Sequence, residues 1–282
     1  MRRHGFTLIE MLVAVVIFGL VAASLNRVFT AQQRLAVAQV EQASVQANVR
    51  SASLIAATEL WELASSPAGV SDIITFDASG LTYRAMRSLG LACQVSSTEV
   101  RILRSPLSQY RNIVAGQDSL LLFVEQNPQR SADDSWLPLA ITSVNNASSC
   151  GGSAAIALHV SDIDTITTPL SAIVTEAPVR TFEVMELRPV TVGTQNWLGA
   201  RSVSGGETTL QPVAGPVAAN GVRFTYLDAL GAPTTVAGNI RSIRLSLTGE
   251  SDRAVHSLRT TVVQPVQDSL STIVTLRNAP LP

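Results

Sequence analysis

From Phe6 to Asn26 the chain runs for twenty-one residues with one charged side chain, Glu10. As a helix this run is about 31 Å long, at ~1.5 Å per residue, enough to cross the hydrocarbon core of a bilayer. Its apolar residues lie all round the circumference, which is the pattern of a membrane span rather than of a helix in a soluble core. Arg2 and Arg3 precede it, and no basic cluster within it balances them, so a cytoplasmic N-terminus is expected. Glu10 costs about 2–3 kcal/mol to place in hydrocarbon. A partner in another subunit offsets that cost; the alternative is a plain anchor with an incidental acid.

Secretory signals carry a small-residue cleavage site after the apolar stretch. Here the small residue, Gly5, comes before it. Cleavage at Gly5 removes residues 1–5 and leaves the apolar segment on the mature chain. The run Gly5-Phe6-Thr7-Leu8-Ile9-Glu10 resembles the class III signal of type IV pilins and type II secretion pseudopilins. The resemblance implies cutting after Gly5 by a membrane-embedded prepilin peptidase and N-methylation of the new terminal residue, Phe6. It also implies that Glu10 pairs with the terminal amine of a neighbouring subunit during assembly, and opposite charges attract strongly in low dielectric. Many major pilins have a kinking proline late in the apolar half. This chain has none before Pro67, which favours a minor pilin or pseudopilin.

The chain has 282 residues and a net charge of −1, which argues against a protein dominated by nucleic-acid binding. All twenty basic residues are arginine, so P-loop and Schiff-base lysines are excluded. Of the three histidines, His4 lies in the leader, and His159 and His256 are far apart in expected strands. No metalloprotease, nucleophile-elbow or dinucleotide motif occurs. The chain is therefore read as a non-enzyme with no cofactor, no metal and no small-molecule substrate. Cys93 and Cys150 fall in the part expected outside the cytoplasm, where a disulfide is favoured, with two buried thiols as the alternative.

Beyond Arg27 an amphipathic helix is expected to about Leu63, since alanine, glutamine and leucine recur with no proline or glycine. An apolar stripe runs through Ala38, Val45, Val49, Ala52, Ala56, Leu60 and Leu63, with Gln32, Gln39, Gln46 and Arg50 on the opposite side. Leu54 to Leu63 are expected in the head core, and Pro67 and Gly69 end the helix. After that the texture is that of strands: 73–76, 81–86, 99–103, 120–125, 154–160, 182–187, 222–227, 240–247, 258–263 and 273–277. Asp228 to Pro233 reads as a turn, and Gly193 to Gly221 as a long exposed loop. The expected organisation is a leader (1–5), the transmembrane half of a long helix (6–26), its amphipathic half (27–63) and a β-rich head (64–282). This is an α+β, pilin-like fold.

Other candidates are weaker. Asp162 and Asp164 suggest calcium, but no glycine or distal glutamate follows at loop spacing. Asp133 and Asp134 read as a solvated loop. Arg84, Arg87, Arg101, Arg104 and Arg111 form a basic stretch; Arg101 and Arg104 are its candidates for nucleic-acid contact, with salt bridges or solvation as the alternative. The strands at 222–227 and 240–247 are similar to the closing strands of W-type minor pilins and J-type pseudopilins, and the length of the head favours the W type. The resemblance implies assembly with other minor pilins or pseudopilins and the major pilin. The chain would sit in the inner membrane with its head in the periplasm, then in a pilus or pseudopilus. A J-type secretion subunit, or a DNA-binding or adhesive tip subunit, is the alternative.

Overall fold

The computed structural model describes residues 7–65, 71–125, 127, 129–130, 134–165, 168–174, 176–256 and 262–277. Gly5, Phe6, Pro67, Gly69, Asp133 and residues 258–261 of the strand expected at 258–263 lie outside the described residues.

Among the described residues one α-helix, α1 (Leu8–Trp61), takes up 54 residues, about 81 Å at ~1.5 Å per residue. Glu62 caps its C-terminus, and the chain leaving it is tied down at once. The Ala64 N–H donates to the Asp72 carboxylate at 2.7 Å, and the Asp72 N–H donates to the Ala64 carbonyl at 2.8 Å. Among the described residues the head follows as twelve strands, all in antiparallel pairs. They are β1 (Ile73–Asp77), β2 (Gly80–Val95), β3 (Glu99–Leu103), β4 (Ser108–Gln109), β5 (Asp118–Val124) and β6 (Ser135–Cys150). The rest are β7 (Ser153–Val160), β8 (Ala177–Val192), β9 (Gln195–Ser202), β10 (Gln211–Leu227), β11 (Ser242–His256) and β12 (Val263–Thr275). A long apolar N-terminal helix packed on a large antiparallel β head is an α+β arrangement.

Two long strands divide the head into two parts. β2 and β8 pair from Leu81–Leu187 to Ala92–Ala177. On one side the sheet continues through β9, β10 and β11 to β12 and packs on α1. On the other, β2 pairs with β3, β3 with β7, β7 with β6, β6 with β5 and β5 with β8. The β8–β2 pairing then closes these six strands into a ring. Inside it Ile102, Leu120, Leu122, Ile141, Ile156 and Leu158 form a second core separate from the one under the helix. Small residues leave room for that interior: a Cβ on Gly90 would lie 2.7 Å from the Ile102 Cγ2.

A bulge in β2 between Met86 and Ser88 carries the buried face from Leu81, Tyr83 and Ala85 to Ser88 and Ala92. The extra residue, Arg87, reaches the buried Glu183 of β8 at 2.8 Å. Where one core gives way to the other, the hydroxyls of Ser88 and Thr181 bond at 2.6 Å. Polar groups so placed must find partners, because an unpaired buried donor or acceptor costs about 1–3 kcal/mol.

The structure corrects three expectations. Gly193 to Gly221 is no loop: β9 and the first part of β10 occupy most of it. Ser135–Cys150 forms a sixteen-residue strand where none was expected. Leu54 and Ile55 are exposed, not core, because they lie off the stripe that faces the sheet.

Candidate functional site

Helix α1 begins in a closed cap. Thr7 has extended backbone, and its hydroxyl accepts the Glu10 N–H at 3.3 Å. The Glu10 carboxylate in turn accepts the Thr7 N–H at 3.3 Å. This is the reciprocal capping box, in which two otherwise orphaned helix-end donors are satisfied. The Thr7-x-x-Glu10 spacing is its sequence signature. Glu10 thus has a structural partner within its own chain, which the reading of it as an assembly residue did not include. Gly5 and Phe6, the expected cleavage and methylation positions, lie outside the described residues.

From Leu8 to Val37 no side chain is buried. Within this bare stretch Ser24 donates to the Val21 carbonyl at 2.7 Å and Thr30 to the Asn26 carbonyl at 3.0 Å, so their hydroxyls are satisfied within the helix.

Ala38 is the first buried residue, and Val45, Val49, Ala52, Ala56, Leu60 and Leu63 follow. These are the seven positions of the apolar stripe. Gln32, Gln39, Gln46 and Arg50 are exposed, but at ~100° per residue they flank the buried stripe rather than oppose it. The far side carries Val40, Ala43, Ala47, Ser51 and Leu54, spaced by three or four residues and all exposed, and ends at Trp61, whose ring lies under the Arg277 guanidinium at 4.9 Å. The helix is therefore apolar on two opposite faces, and the head covers one.

The top of the helix is fixed by polar contacts that the sequence did not announce. The Tyr83 hydroxyl donates to Glu59 at 3.3 Å, and the Tyr110 hydroxyl donates to Glu62 at 2.9 Å. Arg87 lies 3.9 Å from Glu59 and also holds Glu183, which accepts from Gln117, Ser202 and Arg111 as well. Burial pushes the Glu183 pKa up, but the bonds from Ser202, Gln117, Arg87 and Arg111 outweigh it and hold the value at about 2. Arg111 forks onto Asp118 with two 2.7 Å bonds. At Asp72 the balance goes the other way: burial raises its pKa although Arg180 stands 3.2 Å away. Arg180 also stacks over Trp136, 5.0 Å from the ring centre.

The remaining candidates are spread over the head. Cys93, at the end of β2, and Cys150, at the end of β6, are joined as a disulfide. Arg101 pairs with Glu99 at 2.7 Å and donates to Gln94, and Arg104 donates to the Asn146 carbonyl. Arg84 lies over the Phe182 ring. His159 is 3.6 Å from Glu99. Asp162 is exposed, and among the described residues no group of three or more histidine, cysteine or acidic side chains is placed to hold a metal.

A family profile described as the prokaryotic N-terminal methylation motif matches residues 1–26. No curated protein and no solved structure matches the chain. The matched motif is the signal of type IV pilin-like proteins and pseudopilins processed by prepilin peptidase, and it points to a structural, non-enzymatic subunit that assembles with other pilins. Helix α1, which begins within it at Leu8, is long and apolar enough to cross a membrane.

Proposed function

We propose that this chain is a minor pilin, a W-type subunit that helps to initiate or cap a type IV pilus. Prepilin peptidase cuts after Gly5 and methylates Phe6, the apolar half of α1 holds the protein in the inner membrane, and the head stands in the periplasm until assembly. The work is non-covalent: apolar helices bundle, Glu10 pairs with a neighbour's terminal amine, and the head meets other minor subunits.

One observation carries this reading. The exposed apolar face of α1 does not stop at Arg27 but continues through Val40, Ala43, Ala47 and Leu54 alongside the head. A membrane anchor needs about twenty apolar residues, and this face is far longer. Surface of that kind on a helix is covered by another helix, with small residues letting the two come close. A further feature supports a minor subunit: α1 carries no proline.

The test is the mass and N-terminal sequence of the protein purified from cells with an active processing peptidase. A methylated phenylalanine terminus is expected, and Gly5→Ala is expected to leave the chain at full length. An unprocessed wild-type chain overturns the proposal. Loss of surface pili on deletion, with protein secretion intact, supports the pilus; the converse result assigns the chain to a secretion pseudopilus.

A further inference from the structure

An open cleft of about 460 Å³ lies between β1 and the second half of β10. One wall is a free sheet edge, for β1 ends the strand path and pairs with β2 alone among the described strands. Across the cleft, two backbone bonds hold the facing edge of β10. Its Phe224 N–H donates to the Ala78 carbonyl, and its Tyr226 carbonyl accepts the Thr234 N–H, both at 2.9 Å. The floor is aromatic: the Phe76 and Tyr226 rings are 4.5 Å apart, and Phe224 lies 6.5 Å from Tyr226. Ile74 and Thr235 stand exposed at the rim.

The chemistry of the lining narrows the occupant. Asp77 is its one charged residue, and that carboxylate is taken up by Ser79 at 2.5 Å and Arg188 at 3.1 Å. Among the described residues no cation lines the cleft to draw an anion, and no uncommitted acid to draw a base. A free edge offers backbone donors and acceptors in an extended row, while an apolar floor receives alternate side chains. Five residues of β1 give about 17 Å of edge, at ~3.3 Å per residue. We infer that the β1–β10 cleft docks an uncharged, extended peptide segment of another protein, which adds to β1 as a further strand.

The test uses the full chain in detergent micelles and a fluorescein-labelled Thr-Val-Thr-Val-Thr amide, read by anisotropy. Saturable binding is expected. At least tenfold weaker binding is expected when alternate backbone nitrogens of the peptide are methylated, and likewise for Ile74→Arg and Thr235→Arg. Leu230→Arg, at an exposed turn outside the cleft, is expected to bind as the wild type does. The inference is overturned if the plain peptide does not bind, if backbone methylation makes no difference, or if both rim variants bind normally. None of these readouts needs processing or a filament, so a negative result leaves the pilin proposal standing, and failure of that proposal leaves the cleft to be tested.

Discussion

Gly249 of β11 faces Val49 of α1 with no room between them for a methyl group. A Cβ at Gly249 would overlap the Val49 side chain and come to 3.0 Å of the Val45 Cγ1. The contact of helix and sheet at this point therefore depends on a residue without a side chain. Gly249→Ala is expected to lower the stability of the folded chain by about 1–3 kcal/mol, the usual cost of overpacking a filled core. Denaturant unfolding of the full protein in detergent measures this, and an unchanged midpoint counts against the close docking of the helix.

Glu183 makes the head sensitive to acid. Its folded pKa of about 2 is below the ordinary value of 4.5, so its bonds stabilise the head fully above pH 4.5 and lose effect as pH falls toward 2. Asp72 acts in the opposite sense, since its raised pKa favours the protonated form. A Glu183→Gln variant is expected to be less stable near neutral pH and to lose less stability between pH 4.5 and 2 than the wild type. Denaturant midpoints across that range decide it; parallel pH curves for the two proteins would sink the assignment.

The Cys93–Cys150 bond spans 57 residues of sequence. It ties β2 to β6, strands separated in the ring by β3 and β7. On the chain-entropy account, closing a loop of that size contributes about 4 kcal/mol. The paired change Cys93→Ala and Cys150→Ala is expected to lower the unfolding midpoint strongly. A reductant is expected to have the same effect on the wild type and none on the double variant. Equal midpoints with and without reductant in the wild type would remove the bond from the account of stability.

How far the chain could be read in advance depended on whether the signal was local. The stripe from Ala38 to Leu63 follows helical spacing, and all seven of its residues are buried. Val222, Phe224 and Tyr226 alternate with polar neighbours and face the core, as strand spacing requires. The ring of six strands could not be read in this way, since it is closed by β2 and β8, which lie about ninety residues apart. Pro212, Pro216 and Gly221 looked like loop punctuation, yet β10 absorbs them by shifting register three times between Pro212 and Val222. In β6 the run Asn145-Asn146-Ala147-Ser148 hid a strand whose outward residues are small and polar. The Thr7-x-x-Glu10 capping signature is local and legible, but a lone acid in an apolar run draws the argument to charge rather than to capping.

That capping bond sharpens what can be asked of Glu10. Gln can replace Glu in a capping box, whereas alanine cannot. Glu10→Gln therefore keeps the helix start and removes only the charge. If Glu10 pairs with a neighbour's amine, Glu10→Gln and Glu10→Ala are both expected to insert in the membrane and to be poorly recovered in sheared filaments. Normal recovery of Glu10→Gln beside poor recovery of Glu10→Ala would make capping, not charge pairing, the role of this residue.

The second apolar face of α1 can be tested separately from the first. Ala47 is exposed on the far side, and Gln46, also exposed, is on the flank. A carboxylate at either site stays in solvent in the isolated protein, so Ala47→Glu and Gln46→Glu are both expected to fold with unchanged unfolding midpoints. Burying an unpaired carboxylate between helices is expensive, and only the Ala47 position faces that environment in a bundle. Ala47→Glu is therefore expected to be depleted at least tenfold from sheared filaments, and Gln46→Glu to be recovered normally. Equal recovery of the two variants would mean that the far face stays open to water in the assembly, and that the length of this apolar surface needs another explanation.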